Sequence, residues 1–92
     1  MIRSFTDRNT ERLWKEERTR PYGSAARAAL RKLIQLNAAE RPEDLRMPPG
    51  NRLEALSGKR SGQYSIRINR QWRICFKWRN GDAYEVEIVD YH

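Results

Sequence analysis

Ninety-two residues with a single cysteine leave room for one domain, 1–92, with one modest core and no internal disulfide. Nineteen Lys and Arg against twelve Asp and Glu give a formal charge of +7. Fifteen of the basic residues are arginine, whose planar fork matches phosphate and carboxylate. The balance points to a polyanion or an acidic protein as partner, with a merely well-solvated basic surface as the plainer alternative. Cys75 and His92 stand alone in their types, too few for a Cys/His zinc site. No apolar run approaches the ~20 residues of a membrane span. The opening Met1-Ile-Arg-Ser-Phe5 lacks the apolar stretch of a signal peptide, so a cytoplasmic location is expected.

Taken in order, Ile2–Phe5 alternates as an edge strand does. Thr6 or Asp7 is placed to cap a helix starting near Arg8, with Thr10 as an alternative cap and Leu13 and Trp14 as its main apolar contacts. The Thr19-Arg-Pro-Tyr-Gly23 run breaks it. Ser24 is then expected to cap a stronger helix, whose inner stripe reads Ala26, Ala29, Leu30, Leu33, Ile34 and Asn37, with Arg27, Arg31 and Lys32 outward. Prolines at 42, 48 and 49 make Asn37–Asn51 a connecting loop with at most one helical turn near Glu43–Leu45. Arg52–Leu56 reads as a strand, and Ser57–Gly62 as a flexible basic loop.

From Tyr64 onward the even positions are apolar and the odd ones mostly polar or cationic, the period of half-buried strands. A slip of one residue would turn every side chain to the wrong face, so the core fixes the register. Ile66 then faces Ile74 and Tyr64 faces Phe76, which sets Arg67 opposite Arg73. Asn80-Gly81 usually marks a two-residue hairpin, but that register places Phe76 against Glu85 and Ile74 against Glu87. A three-residue loop, Asn80-Gly81-Asp82, aligns Phe76 with Val86 and Ile74 with Ile88, and pairs Lys77 with Glu85, Arg73 with Val89 and Gln71 with Tyr91. The same parity puts Ala55 opposite Tyr64, Glu54 near Ser65 and Arg52 near Arg67. Opposed arginines repel, so the outer face calls for a bound anion or an intervening carboxylate, with Glu54, Glu85 and Glu87 as candidates.

The run Ser65-Ile-Arg-Ile-Asn-Arg-Gln-Trp-Arg-Ile-Cys-Phe76, the Asn80-Gly-Asp-Ala-Tyr84 turn and the closing Val89-Asp-Tyr-His92 resemble HigB, the toxin of a type II toxin–antitoxin pair in the RelE-like superfamily. The resemblance covers essentially the whole chain. It implies an α+β fold, with two N-terminal helices packed on a curved, mostly antiparallel sheet of four to five strands. It also implies a ribosome-dependent, metal-independent mRNA endoribonuclease that takes no cofactor. The implied partner is a HigA-like helix-turn-helix antitoxin, with operator DNA bound only through the pair. Carried over by position, Arg73, Asp90, Tyr91 and His92 match the family's catalytic group. Where some members have a histidine on the second strand this chain has Glu54, either a base or a neutraliser of Arg52 or Arg67. The expected RNA-binding set is Arg52, Lys59, Arg60, Arg67, Asn69, Arg70 and Lys77.

Metal-free RNA cleavage needs a base for the 2′-OH, cations for the pentacoordinate phosphate and an acid for the departing 5′-oxygen. Arg73 is the charge stabiliser, aided by Arg67 or Arg52. His92 suits either proton role, its ordinary pKa being about 6.5. Tyr91 stacks on a base or steers a proton, and Asp90 orients His92 or acts itself. Each has a plainer rival: chain termini fray, Tyr91 sits at a rim, Trp72 and Trp78 belong to the core and Cys75 is inert. Two other functions stay open, a non-catalytic basic RNA- or protein-binding module and a weakened toxin acting mainly in autorepression.

Overall fold

Asp7 opens the first helix: its carboxylate accepts the Thr10 backbone N–H at 3.0 Å, satisfying one of the donors that a helix start leaves unpaired. In the computed structural model, which describes residues 1–90, helix α1 runs Arg8–Glu16. It ends at Glu17, which turns left-handed at φ 54° and donates to the Leu13 carbonyl. The Pro21 turn therefore follows the helix end rather than causing it.

Helix α2 spans Ala26–Ala38 behind a 3-10 turn, Gly23–Ala25. Ser24 is not its cap, because it lies inside that turn and Ala25 occupies the capping position. The buried face is Ala26, Ala29, Leu33 and Leu36. Leu30 is half-buried and Ile34 is 54% exposed, which corrects the expected stripe. At 3.6 residues per turn Ile34 lies roughly 120° round the helix from the middle of that face, too far to reach the sheet. Asn37 is half-buried and accepts the Ile2 N–H at 2.9 Å.

After α2 come two 3-10 turns, Pro42–Arg46 and Pro49–Asn51. Asn51 is fully buried and ties the second turn to α2. Its amide donates to Gln35 Oε1 and the Leu45 carbonyl, both at 3.1 Å, and its oxygen accepts the Lys32 ammonium. Lys32 is therefore anchored, not merely outward.

Four antiparallel strands follow in order: β1 Glu54–Ala55, β2 Gln63–Arg67, β3 Trp72–Arg79 and β4 Asp82–Asp90. β1 is shorter than the expected Arg52–Leu56, because Arg52 is left-handed at φ 46° and cannot continue a strand. The Ser57–Gly62 loop contains a further 3-10 turn, Gly58–Arg60. Ile2 and Phe5 bridge in parallel to Ala83 and Val86 on β4, so the expected edge strand is reduced to two isolated bridges beside β4. Arg3 and the terminal ammonium grip Asp82 at 3.1 and 3.2 Å. The hydrogen bond from Arg3 is the main reason its carboxyl titrates below the usual range.

Ala55↔Tyr64, Ile66↔Ile74, Tyr64↔Phe76 and Arg67↔Arg73 pair as parity requires. The β3–β4 turn differs from the three-residue loop. Arg79↔Asp82 and Trp78↔Ala83 close a two-residue Asn80-Gly81 turn, with φ of 52° and 82°, as a tight hairpin needs. The extra residue sits inside β4 instead, where Glu85 and Val86 together oppose Phe76 and Glu85 turns to φ 52°. Beyond this bulge Ile74↔Ile88 and Arg73↔Val89 pair as the core demands. The bulge's backbone groups are taken up by the N-terminal segment. Glu85 N–H donates to Ser4 Oγ, Val86 N–H to the Ser4 carbonyl, and the Thr6 hydroxyl to the Glu85 carbonyl.

The helices cover one sheet face over Leu13, Leu33, Leu36, Ile66, Ile74, Phe76 and Val86. Trp72 and Trp78 pack partly buried against that core. Among the described residues no helix is long and apolar enough to cross a membrane. Thr10, fully buried, accepts the Ile88 N–H at 2.9 Å and joins α1 to β4. Thr10→Val keeps the shape and strands that donor. Denaturant unfolding should show a loss of about 1–3 kcal/mol.

Candidate active site on the polar face of the sheet

The face away from the helices is organised by a buried charge. Arg73 is 5% exposed. Its Nε and Nη2 donate to Ser65 Oγ at 3.0 and 2.7 Å, and Nη2 also reaches the Arg52 carbonyl at 3.1 Å. Glu54 Oε1 joins these partners at 3.0 Å from Nη2. The register explains the cluster: Glu54 lies opposite Ser65 and Ser65 opposite Cys75, so Arg73 reaches diagonally across β2 toward β1. A buried guanidinium without compensation costs several kcal/mol, and Glu54 is the carboxylate that the opposed arginines call for.

Arg67, directly opposite Arg73, turns the other way and donates from Nε to the Asn69 carbonyl at 3.0 Å. The two like charges separate along the sheet. Glu85 and Glu87 are engaged elsewhere, by Lys77 at 3.1 Å and by Arg60 at 2.8 Å.

Two depressions meet at Arg73. The larger, about 370 Å³, takes in Glu54, Lys59, Arg60, Ser65, Cys75 and Val89. The smaller, about 270 Å³, is lined by Arg52, Arg67, Asn69, Arg70 and Arg73. Every expected RNA-binding residue except Lys77 thus borders one hollow or the other. Lys77 lies farther along β3 in its pair with Glu85. The basic loop is pinned at Arg60, which donates to Gln63 Oε1 at 3.0 Å as well as to Glu87. Asp90 sits opposite Trp72 and accepts from Gln71 Nε2 at 3.1 Å. Tyr91 and His92, with the expected Gln71–Tyr91 pairing, lie outside the described residues. Cys75 lines the larger hollow, but burial pushes its thiol up and keeps it protonated at neutral pH.

Sequence reasoning did not single out Ser65 as the seat of Arg73. The signal was a small hydroxyl on an outward position beside the arginine row, too common a pattern to stand out.

A family model described as HigB-like toxin, the RelE-like toxin of the type II toxin–antitoxin system HigB, matches residues 3–92. The chain belongs to this family. It is 40% identical over 85 residues to Toxin HigB-1 of Vibrio cholerae serotype O1, covering 90% of each chain. A shorter match, 46% over 41 residues, joins this HigB-like toxin to Endoribonuclease HigB of Proteus vulgaris over 45% of each chain. Its fold is that of a chain in the heterotetrameric YoeB–YefM toxin–antitoxin complex from Staphylococcus aureus. The TM-score is 0.63 at 14% identity, covering 100% of this chain and 98% of that one. The two helices on a mostly antiparallel sheet are thus the RelE-like arrangement that the sequence resemblance implies.

Ser65→Ala removes the acceptor shared by two nitrogens of a buried cation. The urea midpoint should fall by the equivalent of about 1–3 kcal/mol with an unchanged slope.

Proposed function

We propose that this HigB-like toxin is an endoribonuclease that cuts mRNA on the ribosome by metal-free attack of the substrate's 2′-OH. The observation that carries the reading is Arg73, held by Ser65, Glu54 and the Arg52 carbonyl where two arginine-lined hollows meet. The name of the Proteus vulgaris relative, Endoribonuclease HigB, supports the reaction class.

In this mechanism the 2′-oxygen bonds to the adjacent phosphorus as its proton leaves. The bond to the 5′-oxygen then breaks as that oxygen gains a proton, giving a 2′,3′-cyclic phosphate and a 5′-hydroxyl. Arg73 stabilises the charge that builds on the phosphate, the largest single contribution available to such a site. Arg67 and Arg52 flank it, and Lys59, Arg60, Asn69 and Arg70 hold the RNA strand on either side. Lys77 extends the contact along β3. Asp90, Tyr91 and His92 handle the protons, His92 having the ordinary pKa best suited to both transfers. Glu54 serves mainly to neutralise and orient Arg73, whose Nη2 lies 3.0 Å from its carboxylate.

The toxin acts in the cytoplasm with a HigA-like helix-turn-helix antitoxin as partner, and operator DNA is engaged only through their complex. Programmed ribosomes provide the test. The toxin should generate new mRNA 5′ ends bearing a hydroxyl, and one 2′-deoxy substitution at the cut should abolish them. Salt-sensitive binding with no new ends would instead favour a non-catalytic module. A toxin that cuts nothing yet binds the operator with its antitoxin would be a repressor component.

A further inference from the structure

A row of paired positions crosses all four strands: Glu54 on β1, Ser65 on β2, Cys75 on β3 and Glu87 on β4. The larger hollow takes in the first three, and a carboxylate stands at each end of the row. Glu54 holds Arg73 at 3.0 Å, and Glu87 holds Arg60 at 2.8 Å. A carboxylate repels RNA, so Glu87 on this face needs a reason of its own. Arg60 comes from the Ser57–Gly62 loop between β1 and β2, and its guanidinium reaches past β3 to β4. Within that loop Arg60 alone is half-buried and the other residues are exposed. The backbone bonds inside the loop stay local, from the Arg60 N–H to the Ser57 carbonyl and from the Ser61 N–H to the Gly58 carbonyl. Gly58 and Gly62, left-handed at φ 63° and 90°, bracket the turn. Among the described residues, the hydrogen bonds that tie this loop's side chains to the sheet are those of Arg60. Its Nη1 donates to Gln63 Oε1 at 3.0 Å and to Glu87 Oε1 at 2.8 Å.

We propose that Glu87 is a positioning residue: it latches the basic loop beside the larger hollow, where Lys59 and Arg60 meet the RNA strand. The inference rests on the endoribonuclease reading above and names what sets the strand-binding wall of that site. An untethered loop would have to be ordered when RNA binds, which weakens binding. A charge-assisted hydrogen bond to a carboxylate mounted on β4 orders it beforehand. The latch uses Nη1 of Arg60, so Nε and Nη2 are left for phosphate. Two effects of Glu87 therefore oppose each other. Its charge alone disfavours RNA, and removing it should strengthen binding. Its hold on Arg60 favours RNA, and removing it should weaken binding. The sign of the change separates the two.

The test measures affinity for programmed ribosomes and single-turnover mRNA cleavage. It compares the full chain with Glu87→Ala, Glu87→Gln, Arg60→Ala and the Arg60→Ala/Glu87→Ala double variant, circular dichroism confirming that each folds. Glu87→Ala should bind at least about fivefold more weakly despite its added positive charge, with the rate at saturation close to wild type. Glu87→Gln keeps an acceptor in reach of Arg60 and should fall between. The double variant should bind no more weakly than Arg60→Ala, because Glu87 acts through Arg60. On the free chain, amide hydrogen exchange across Ser57–Gly62 should quicken in Glu87→Ala. Unchanged or tighter binding by Glu87→Ala overturns the proposal. So do additive losses in the double variant, a slower saturated rate with affinity intact, or unaltered exchange in the loop. A wild-type chain that neither binds nor cuts on ribosomes would sink the endoribonuclease reading and the positioning role with it, while the exchange data report the latch by itself.

Discussion

A guanidinium buried between strands cannot be left to itself, and the architecture around Arg73 reads as the answer to that constraint. Its nitrogens need acceptors and its charge needs a counter-ion. β1 is only two residues long, yet it brings Glu54 to 3.0 Å. The left-handed turn at Arg52 precedes it and offers its carbonyl at 3.1 Å. That turn follows Pro49–Asn51, which the buried Asn51 fastens to α2 through Gln35 and Lys32. A chain of contacts thus runs from the helix that covers one face of the sheet to the arginine that projects from the other. Disturbing the loop after α2 should be felt at Arg73.

The bulge at Glu85 solves a second problem. Asn80 and Gly81 favour a two-residue turn, whereas the core requires Val86 near Phe76 and Ile88 opposite Ile74. One extra residue inside β4 satisfies both, at the cost of a glutamate held left-handed, about 1 kcal/mol. The N-terminal segment supplies the missing hydrogen bonds, so this bridging segment serves the register of β4. Because of this shift Val89 lies opposite Arg73 and Asp90 opposite Trp72. The end of β4 therefore arrives beside the arginine face.

Much of this was legible in the residues, for reasons that differ by element. The period-2 alternation fixed Ile66, Ile74 and Phe76 on one face and Arg67 opposite Arg73, because a slipped register would bury charge. Parity also demanded an odd residue between β3 and β4, but it carries no information on where that residue sits. Turn chemistry, satisfied by Asn80-Gly81, decided against the loop. The α2 spacing admits a wider stripe than the fold buries: Ile34 fits a helical spacing with Leu30, but Ala26, Ala29, Leu33 and Leu36 already fill the space against the sheet. Arg73's partners were half visible. Strand pairing places Glu54 near Ser65 on the arginine face, whereas nothing in the pattern marks the Ser65 hydroxyl as the seat of Arg73, and the Arg52 carbonyl depends on a backbone conformation that no side chain announces.

In the proposed reaction the chemical power of the polar face lies in Arg73. The most direct measurement is single-turnover mRNA cleavage on programmed ribosomes by wild type and Arg73→Ala, with ribosome affinity measured in parallel. Arg73→Ala should cleave about 10²–10³-fold more slowly at saturation with affinity nearly unchanged. A folded Arg73→Ala variant that cleaves at the wild-type rate would contradict it.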